Sequence, residues 1–322
     1  MDIVVFGAGS LGSLVGGVLA REHDVTLVGR DPHVSRVREA GLRVTGALDA
    51  HTYPDAVTDW PPSPGERGGR DAERNDGVDA GSDVDGAGPD LALVTVKTYD
   101  TADAAAALRD GDPTVVCSLQ NGLTEAVLAE ALGDRVLAGT ASYGAELAEP
   151  GRVECTGVGR IHVGELDGGG SDRAERVASA FRDAGLRCAA DPEMPRRRWE
   201  KLAVNAGINA VTALARVRNG AVTDAPGREP AVRAARETAR VARAEGVPLS
   251  DGDAVDALDA VADDTAANRS SMLQDVDAGR RTEVDAINGA VVDRAAGHDV
   301  AAATNRTLVD ILRTWESARG FR

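Results

Sequence analysis

Positions 3–6 are apolar without interruption, and the glycine-rich stretch Gly7 to Gly12 separates them from a largely apolar run that reaches about residue 22. A short unbroken apolar run predicts a strand buried on both faces, and the longer run after the glycines predicts a helix. Residues 24–28 follow at once and read as a second strand. Parallel strands require a crossover connection, so the three segments read as a βαβ unit. The alternation continues with a strand at 91–96, a helix at 101–108, a strand at 114–119, a helix at 123–132, an extended segment at 135–141 and a hairpin at 152–165. After the glycines at 168–170 one more helix-strand pair ends near Asp191. Such alternation predicts a doubly wound, mainly parallel sheet.

From residue 193 the period changes to that of helices, with Ala-rich amphipathic runs at 196–217, 229–245, 251–262, 270–275, 282–296 and 303–318. Thr282 reads as the N-cap of the fifth of these. The expected organisation is an α/β domain over residues 1–192 followed by an all-helical domain over 193–322, with the boundary near Pro192. Residues 61–90 stand apart, being rich in Pro, Gly, Asp, Arg and Ser and almost devoid of large apolar side chains. Such a segment cannot bury enough surface to offset its ordering entropy, and it is expected to be a flexible surface insertion.

Charge narrows the classes of partner. The 322-residue chain carries a formal charge of −16, which disfavours phosphate backbones and anionic membranes, so neither nucleic acid nor membrane is expected as a partner. No apolar stretch approaches the roughly 18 residues of a spanning helix, and no basic segment precedes the first strand, which together suggest a cytoplasmic enzyme. Only two of the 36 basic residues are lysines, Lys97 and Lys201. An acidic, arginine-dominated surface resembles that of proteins adapted to high salt, where the Debye length falls to about 3 Å at 1 M and self-repulsion is screened. The three cysteines and five histidines have no metal-ligand spacing, and no metal is expected.

The run Gly7-Ala8-Gly9-Ser10-Leu11-Gly12, between a strand and a helix, fits a dinucleotide fingerprint. One glycine makes the turn, one admits the pyrophosphate to the backbone and one packs helix on strand, so the N-terminal domain is read as Rossmann-type. At the end of the second strand Arg30 suits a ribose 2′-phosphate, while the adjacent Asp31 is the residue type that binds a 2′-hydroxyl. NADPH is the favoured cofactor, with NADH as the alternative.

The two lysines carry the chemistry that arginine cannot, because an ammonium readily gives up a proton and a guanidinium does not. Lys97 ends a strand on the edge where such folds bind nucleotide. Lys201, Asn205 and Asn209 fall four residues apart and form one polar stripe on a helix face, unusual in an Ala-rich helix. Asn121-Gly122 ends another strand and reads equally as a turn or as a ligand edge.

At this point the residues resemble a family. The loop Gly7 to Gly12, Lys97, Gln120-Asn121-Gly122, the run from Trp199 through Lys201, Leu202 and Asn205 to Asn209, Ser270-Ser271-Met272-Leu273-Gln274-Asp275, and Thr282-Glu283-Val284-Asp285 with Ile287-Asn288-Gly289 are similar in order and type to ketopantoate reductases (2-dehydropantoate 2-reductases). The resemblance implies NADPH-dependent reduction of 2-dehydropantoate to (R)-pantoate, on the route to pantothenate and coenzyme A. It implies Lys201 as general acid, with Glu283 facing the reacting centre or the nicotinamide ribose. Lys97, Arg30 and the backbone at Ala145 would contact cofactor, Asn121 would bridge cofactor and substrate, and Asn205, Asn209, Asn219 and Ser271 would hold the substrate. A monomer or homodimer acting on a small 2-oxo acid is expected. Two other readings remain at this stage: a different 2-oxo acid or opine-type dehydrogenase, and a non-catalytic Rossmann redox sensor.

Overall fold

The computed structural model describes residues 1–60 and 88–322. The expected insertion therefore lies, over residues 61–87, outside the described residues. Two compact units form, one from Met1–Gln120 with Glu125–Met194 and the other from Asn121–Thr124 with Pro195–Arg322.

In the first unit the chain runs β1 (Asp2–Phe6), α1 (Ser10–Leu19), β2 (Asp24–Val28), α2 (His33–Ala40), β3 (Leu42–Gly46), β4 (Ala50–Thr52), β5 (Asp55–Val57), β6 (Leu91–Val94), α3 (Thr101–Gly111), β7 (Val115–Ser118), α4 (Glu125–Leu132), β8 (Val136–Ala141), β9 (Gly144–Glu149), β10 (Arg152–Gly157), β11 (Ile161–Gly164), α5 (Asp172–Asp183) and β12 (Cys188–Ala190). The larger sheet has the order β12-β11-β8-β7-β6-β1-β2-β5. Its strands are buried on both faces: Ile3 and Val5 enter one core with Leu14, Val15 and Val18 of α1, while Val4 enters the other with Ala104 and Leu108 of α3. That two-sided burial explains why the strands read as continuous apolar runs rather than as alternating ones.

The strand order reverses at β1, with β2 on one side and β6 on the other. The register aligns Val28, Phe6, Val94 and Ser118 across β2, β1, β6 and β7, so all four strands deliver their following loops to one edge. Loops at such a reversal are where open α/β sheets bind ligands.

Two expectations for this unit need correction. Residues 152–165 are not a hairpin: β10 pairs with β9 and β3 in a second sheet of order β4-β3-β10-β9, whereas β11 pairs with β8 and β12 in the first. Adjacent extended segments look like a hairpin when their partners are distant in sequence. The helix expected over 123–132 begins only at Glu125, because Asn121–Thr124 belongs to the helical unit.

The second unit contains α6 (Met194–Ala215), a 3-10 turn at Asn219–Val222, α7 (Arg228–Ala244), α8 (Asp251–Asp264), α9 (Ser271–Asp277), a π-helical turn at Asp285–Gly289, α10 (Ala290–Gly297) and α11 (Ala303–Ser317). Trp199, Leu202, Ile208, Leu258 and Leu312 are among its bulky core residues, and most of the core is Ala and Val. Ser250 and Ser270 cap α8 and α9, each accepting an N–H three residues on. Thr282, by contrast, does not cap a helix as expected. It is buried, its hydroxyl donates to Glu316 Oε1 at 2.6 Å, and the turn after it is π-helical. No helix among the described residues is long and apolar enough to cross a membrane.

His33 ties three parts of the first unit together. Its Nδ1 accepts the Gly151 N–H at 3.0 Å, so the ring proton lies on Nε2 and donates to the Ser13 hydroxyl at 3.0 Å. Burial pushes its pKa down, since a charged ring would lose water and would confront the Gly151 donor. Between that lowered value and the unfolded value near 6.5 the unfolded chain binds more protons, so stability is complete above about pH 6.5 and declines as pH falls through the window. We predict that the melting temperature declines as pH falls below about 6.5 and that His33→Gln flattens this decline. An unchanged slope in the variant assigns the decline to other groups.

Candidate functional site

In the first unit the glycine loop is built by backbone bonds. The N–H groups of Gly7 and Ala8 both donate to Val28 O, at 3.0 and 2.8 Å, and Gly9 N donates to Gly7 O at 2.7 Å. Gly7 has φ +119, and a Cβ there would strike the backbone of Val96 and Thr95. A Cβ on Gly12 would strike Gly7 O and the Thr95 hydroxyl, which itself donates to Gly7 O at 2.8 Å. These two positions must be glycine for turn, helix and β6 to meet this closely. The Gly7 and Ala8 donors are thereby spent on the turn.

What faces outward is the start of α1. Gly9 is its N-cap with no side-chain cap, and no acidic residue lies in the first turn. The first helical hydrogen bond runs from Ser13 N to Gly9 O, leaving Ser10, Leu11 and Gly12 N–H without acceptors in the helix. Uncapped donors at the positive end of a helix suit a pyrophosphate. The Ser10 hydroxyl is used internally, accepting Leu147 N at 3.1 Å, which fastens β9 and hence the half-buried Ala145 to the same helix end.

On the neighbouring loop Arg30 has an 88% exposed side chain and touches Asp100 at 3.3 Å. A pair so exposed holds the guanidinium only loosely. Asp31 is occupied differently. It accepts the Ser35 hydroxyl at 2.7 Å and Ser35 N at 3.0 Å, and these bonds hold its carboxyl below the usual range. Lys97 is half-buried and follows β6 on the same edge. Gln120, the residue before Asn121, is buried and donates to Val96 O at 3.0 Å and Thr101 Oγ1 at 2.9 Å. It ties the end of β7 to the loop bearing Lys97.

In the second unit the polar stripe of α6 is not a solvated face. Asn209 is buried and Lys201 and Asn205 are half-buried. Asn205 Nδ2 donates to Asn121 Oδ1 at 3.4 Å, and Asn121 Nδ2 donates to Glu283 Oε2 at 3.1 Å. Gly122, at φ +79, lets this loop lie on the Ala286 carbonyl, where a Cβ would clash. Leu123 anchors the loop in the helical core. Three sequence motifs distant in the chain thus converge on Asn121.

The remaining expected residues are placed less centrally. Asn219 is buried at the start of its 3-10 turn and donates through Nδ2 to Thr265 Oγ1 at 2.9 Å, while its Oδ1 has no hydrogen-bond partner among the described residues. Ser271 is exposed in the first turn of α9. Its neighbour Ser270 is the buried one, bonded to Thr212 of α6 at 2.7 Å.

The first unit therefore presents an uncapped helix start with a loosely held arginine, and the second a hydrogen-bonded chain that runs from Asn205, on the helix that carries Lys201, through Asn121 to Glu283. Residues 3–168 match the family model described as ketopantoate reductase PanE/ApbA, and residues 193–316 match that of its C-terminal part. A 2-dehydropantoate 2-reductase of Halobacterium salinarum is 45% identical over 319 residues, spanning 97% of this chain and 98% of the relative. One of Archaeoglobus fulgidus is 38% identical over 317 residues, 98% of each chain. The crystal structure of a ketopantoate reductase from Ralstonia eutropha JMP134 superposes with a TM-score of 0.83 at 28% identity, covering 99% of this chain and 100% of that one. A D-mandelate dehydrogenase in complex with NADH and anilino(oxo)acetate shares the fold, with a TM-score of 0.84 at 22% identity and 99% of each chain covered. On the family models and the full-length archaeal relatives, this chain belongs to the ketopantoate reductase family.

Proposed function

We propose that the protein reduces 2-dehydropantoate to (R)-pantoate with NADPH, supplying pantothenate and coenzyme A synthesis. The observation that carries this reading is the Asn205–Asn121–Glu283 chain that starts on the helix of Lys201, together with full-length relatives named for the reaction. As a family member the chain is a pyridine-nucleotide-dependent reductase.

The residues present fit such a cofactor. Uncapped N–H groups at Ser10, Leu11 and Gly12 would hold the pyrophosphate, with Gly7, Ala8 and Gly9 shaping the turn. Lys97 and the backbone at Ala145 would complete the nucleotide contacts. The choice of NADPH over NADH rests on Arg30 and Asp31. The Asp31 carboxylate already accepts two bonds from Ser35, whereas the Arg30 fork is exposed and only weakly paired, ready for a 2′-phosphate.

When bound, a dihydronicotinamide cofactor would supply the hydride for C2 of the 2-oxo acid. The chain's own residues must manage the negative charge that then builds on the carbonyl oxygen. Lys201 stabilises that charge through its ammonium and donates the Nζ proton to the oxygen, completing the alcohol. Glu283, accepting from Asn121, fixes the amide whose other face meets Asn205. Asn121 bridges substrate and cofactor, and Asn205, Asn209 and Ser271 hold the substrate's polar groups. The unpartnered Asn219 Oδ1 is an acceptor and so suits the substrate's 4-hydroxyl better than its carboxylate.

Two outcomes follow. Arg30→Ala should raise KM for NADPH by about ten- to hundredfold, the value of a charge-assisted bond, and leave KM for NADH nearly unchanged. Equal effects on the two cofactors would remove the 2′-phosphate role. Lys201→Ala should lower kcat for 2-dehydropantoate by about 10² to 10⁴ with NADPH affinity maintained. Lys201→Arg should not restore it, because a guanidinium keeps the charge but not the transferable proton. Turnover near the parent rate in Lys201→Arg would falsify the general-acid assignment.

A further inference from the structure

Glu283 lies in irregular backbone, preceded by residues 280–282 with no regular structure and followed by a π-helical turn. Neither a helix nor a sheet fixes it, so something else must. On its N-terminal side Glu316, fully buried on α11, accepts Thr282 N at 2.8 Å and the Thr282 hydroxyl at 2.6 Å. The same hydroxyl accepts Val284 N at 3.3 Å. Thr282 thus bonds to the backbone beyond Glu283 while being gripped itself. The second Glu316 oxygen accepts Arg322 Nε at 2.7 Å, which compensates the buried charge.

The far end of the turn is held as well. Asn288, fully buried, donates to Ala206 O on α6 at 3.0 Å and to Asn305 Oδ1 at 2.9 Å. Ala206 is the residue after Asn205, so the turn after Glu283 is registered on the helix position that orients Asn121. A buried carboxylate is a poor way to gain stability, since an apolar residue of similar shape often does as well. A carboxylate gripping one residue by both N–H and hydroxyl does something an apolar contact cannot: it sets the direction of the backbone.

We propose that Thr282, held by Glu316, is a positioning residue that aims the Glu283 carboxylate at Asn121. The proposal rests on the role given to Glu283 above. Thr282→Val removes the hydroxyl at nearly constant volume, and Thr282→Ser keeps it. The first should lower kcat for 2-dehydropantoate by about tenfold or more, the effect of losing a hydrogen bond to a charged group, with KM for NADPH unchanged. The second should stay close to the parent. In a Glu283→Gln background the Thr282→Val loss should vanish, because a residue acting only through Glu283 has nothing left to position. An equal loss in both backgrounds overturns the proposal, as does parent-like kcat in Thr282→Val. Thr282→Ala, which adds no bulk, replaces the Val variant if that one does not fold. If the parent itself does not turn over 2-dehydropantoate, the functional reading fails separately. A crystal structure of Thr282→Val then decides this one: Glu283 displaced from Asn121 supports it, and the 3.1 Å contact retained overturns it.

Discussion

The hydrogen bond from Asn121 to Glu283 is the interaction around which the polar chain of the helical unit is arranged. It requires four residues that follow a strand of the sheet to leave their neighbours and pack with the helices. Gly122 makes the departure sterically feasible, since its positive φ brings the loop backbone onto Ala286. Leu123 secures it in apolar core, and Asn205 sets which way the Asn121 amide faces. The bond is what gives these features a common purpose. A type II turn would need the glycine but not the asparagine, and a core anchor would need the leucine but neither amide.

Several of these features were legible in the sequence because their signals are local. Continuous apolar runs told of strands buried on both faces, and the glycine spacing told of a helix start open to anions. The scarcity of lysine singled out Lys97 and Lys201 without reference to structure. The helical stripe of Lys201, Asn205 and Asn209 followed from period alone, although only the structure shows it turned away from bulk water.

What could not be read depended on partners remote in sequence. The second sheet joins β3 and β4 to β9 and β10 across about a hundred residues, and nothing in those short strands names their partners. The same ignorance turned β10 and β11 into an apparent hairpin. Thr282 carried the local signature of a helix cap, and its hydroxyl does accept a nearby N–H. The buried Glu316, 34 residues on, decided its actual environment. Gln120 sat inside a motif whose asparagine drew attention, yet its bonds to Val96 and Thr101 hold the edge from which Asn121 departs.

The fold alone does not choose a substrate, since a D-mandelate dehydrogenase superposes as well as a ketopantoate reductase does. Choice must come from polar side chains, and in the proposed function the buried Asn219 Oδ1 would discriminate by hydrogen bonding rather than by shape. A site that pairs a substrate hydroxyl rejects the analogue lacking it far more strongly than an apolar pocket rejects a missing methylene. The most direct measurement is kcat/KM with NADPH for 2-dehydropantoate against 2-oxoisovalerate, which lacks the hydroxymethyl group on C3 and with it the 4-hydroxyl, with product configuration determined. The account predicts (R)-pantoate and a preference of about 10³ or more for 2-dehydropantoate. Comparable values for the two acids would contradict it.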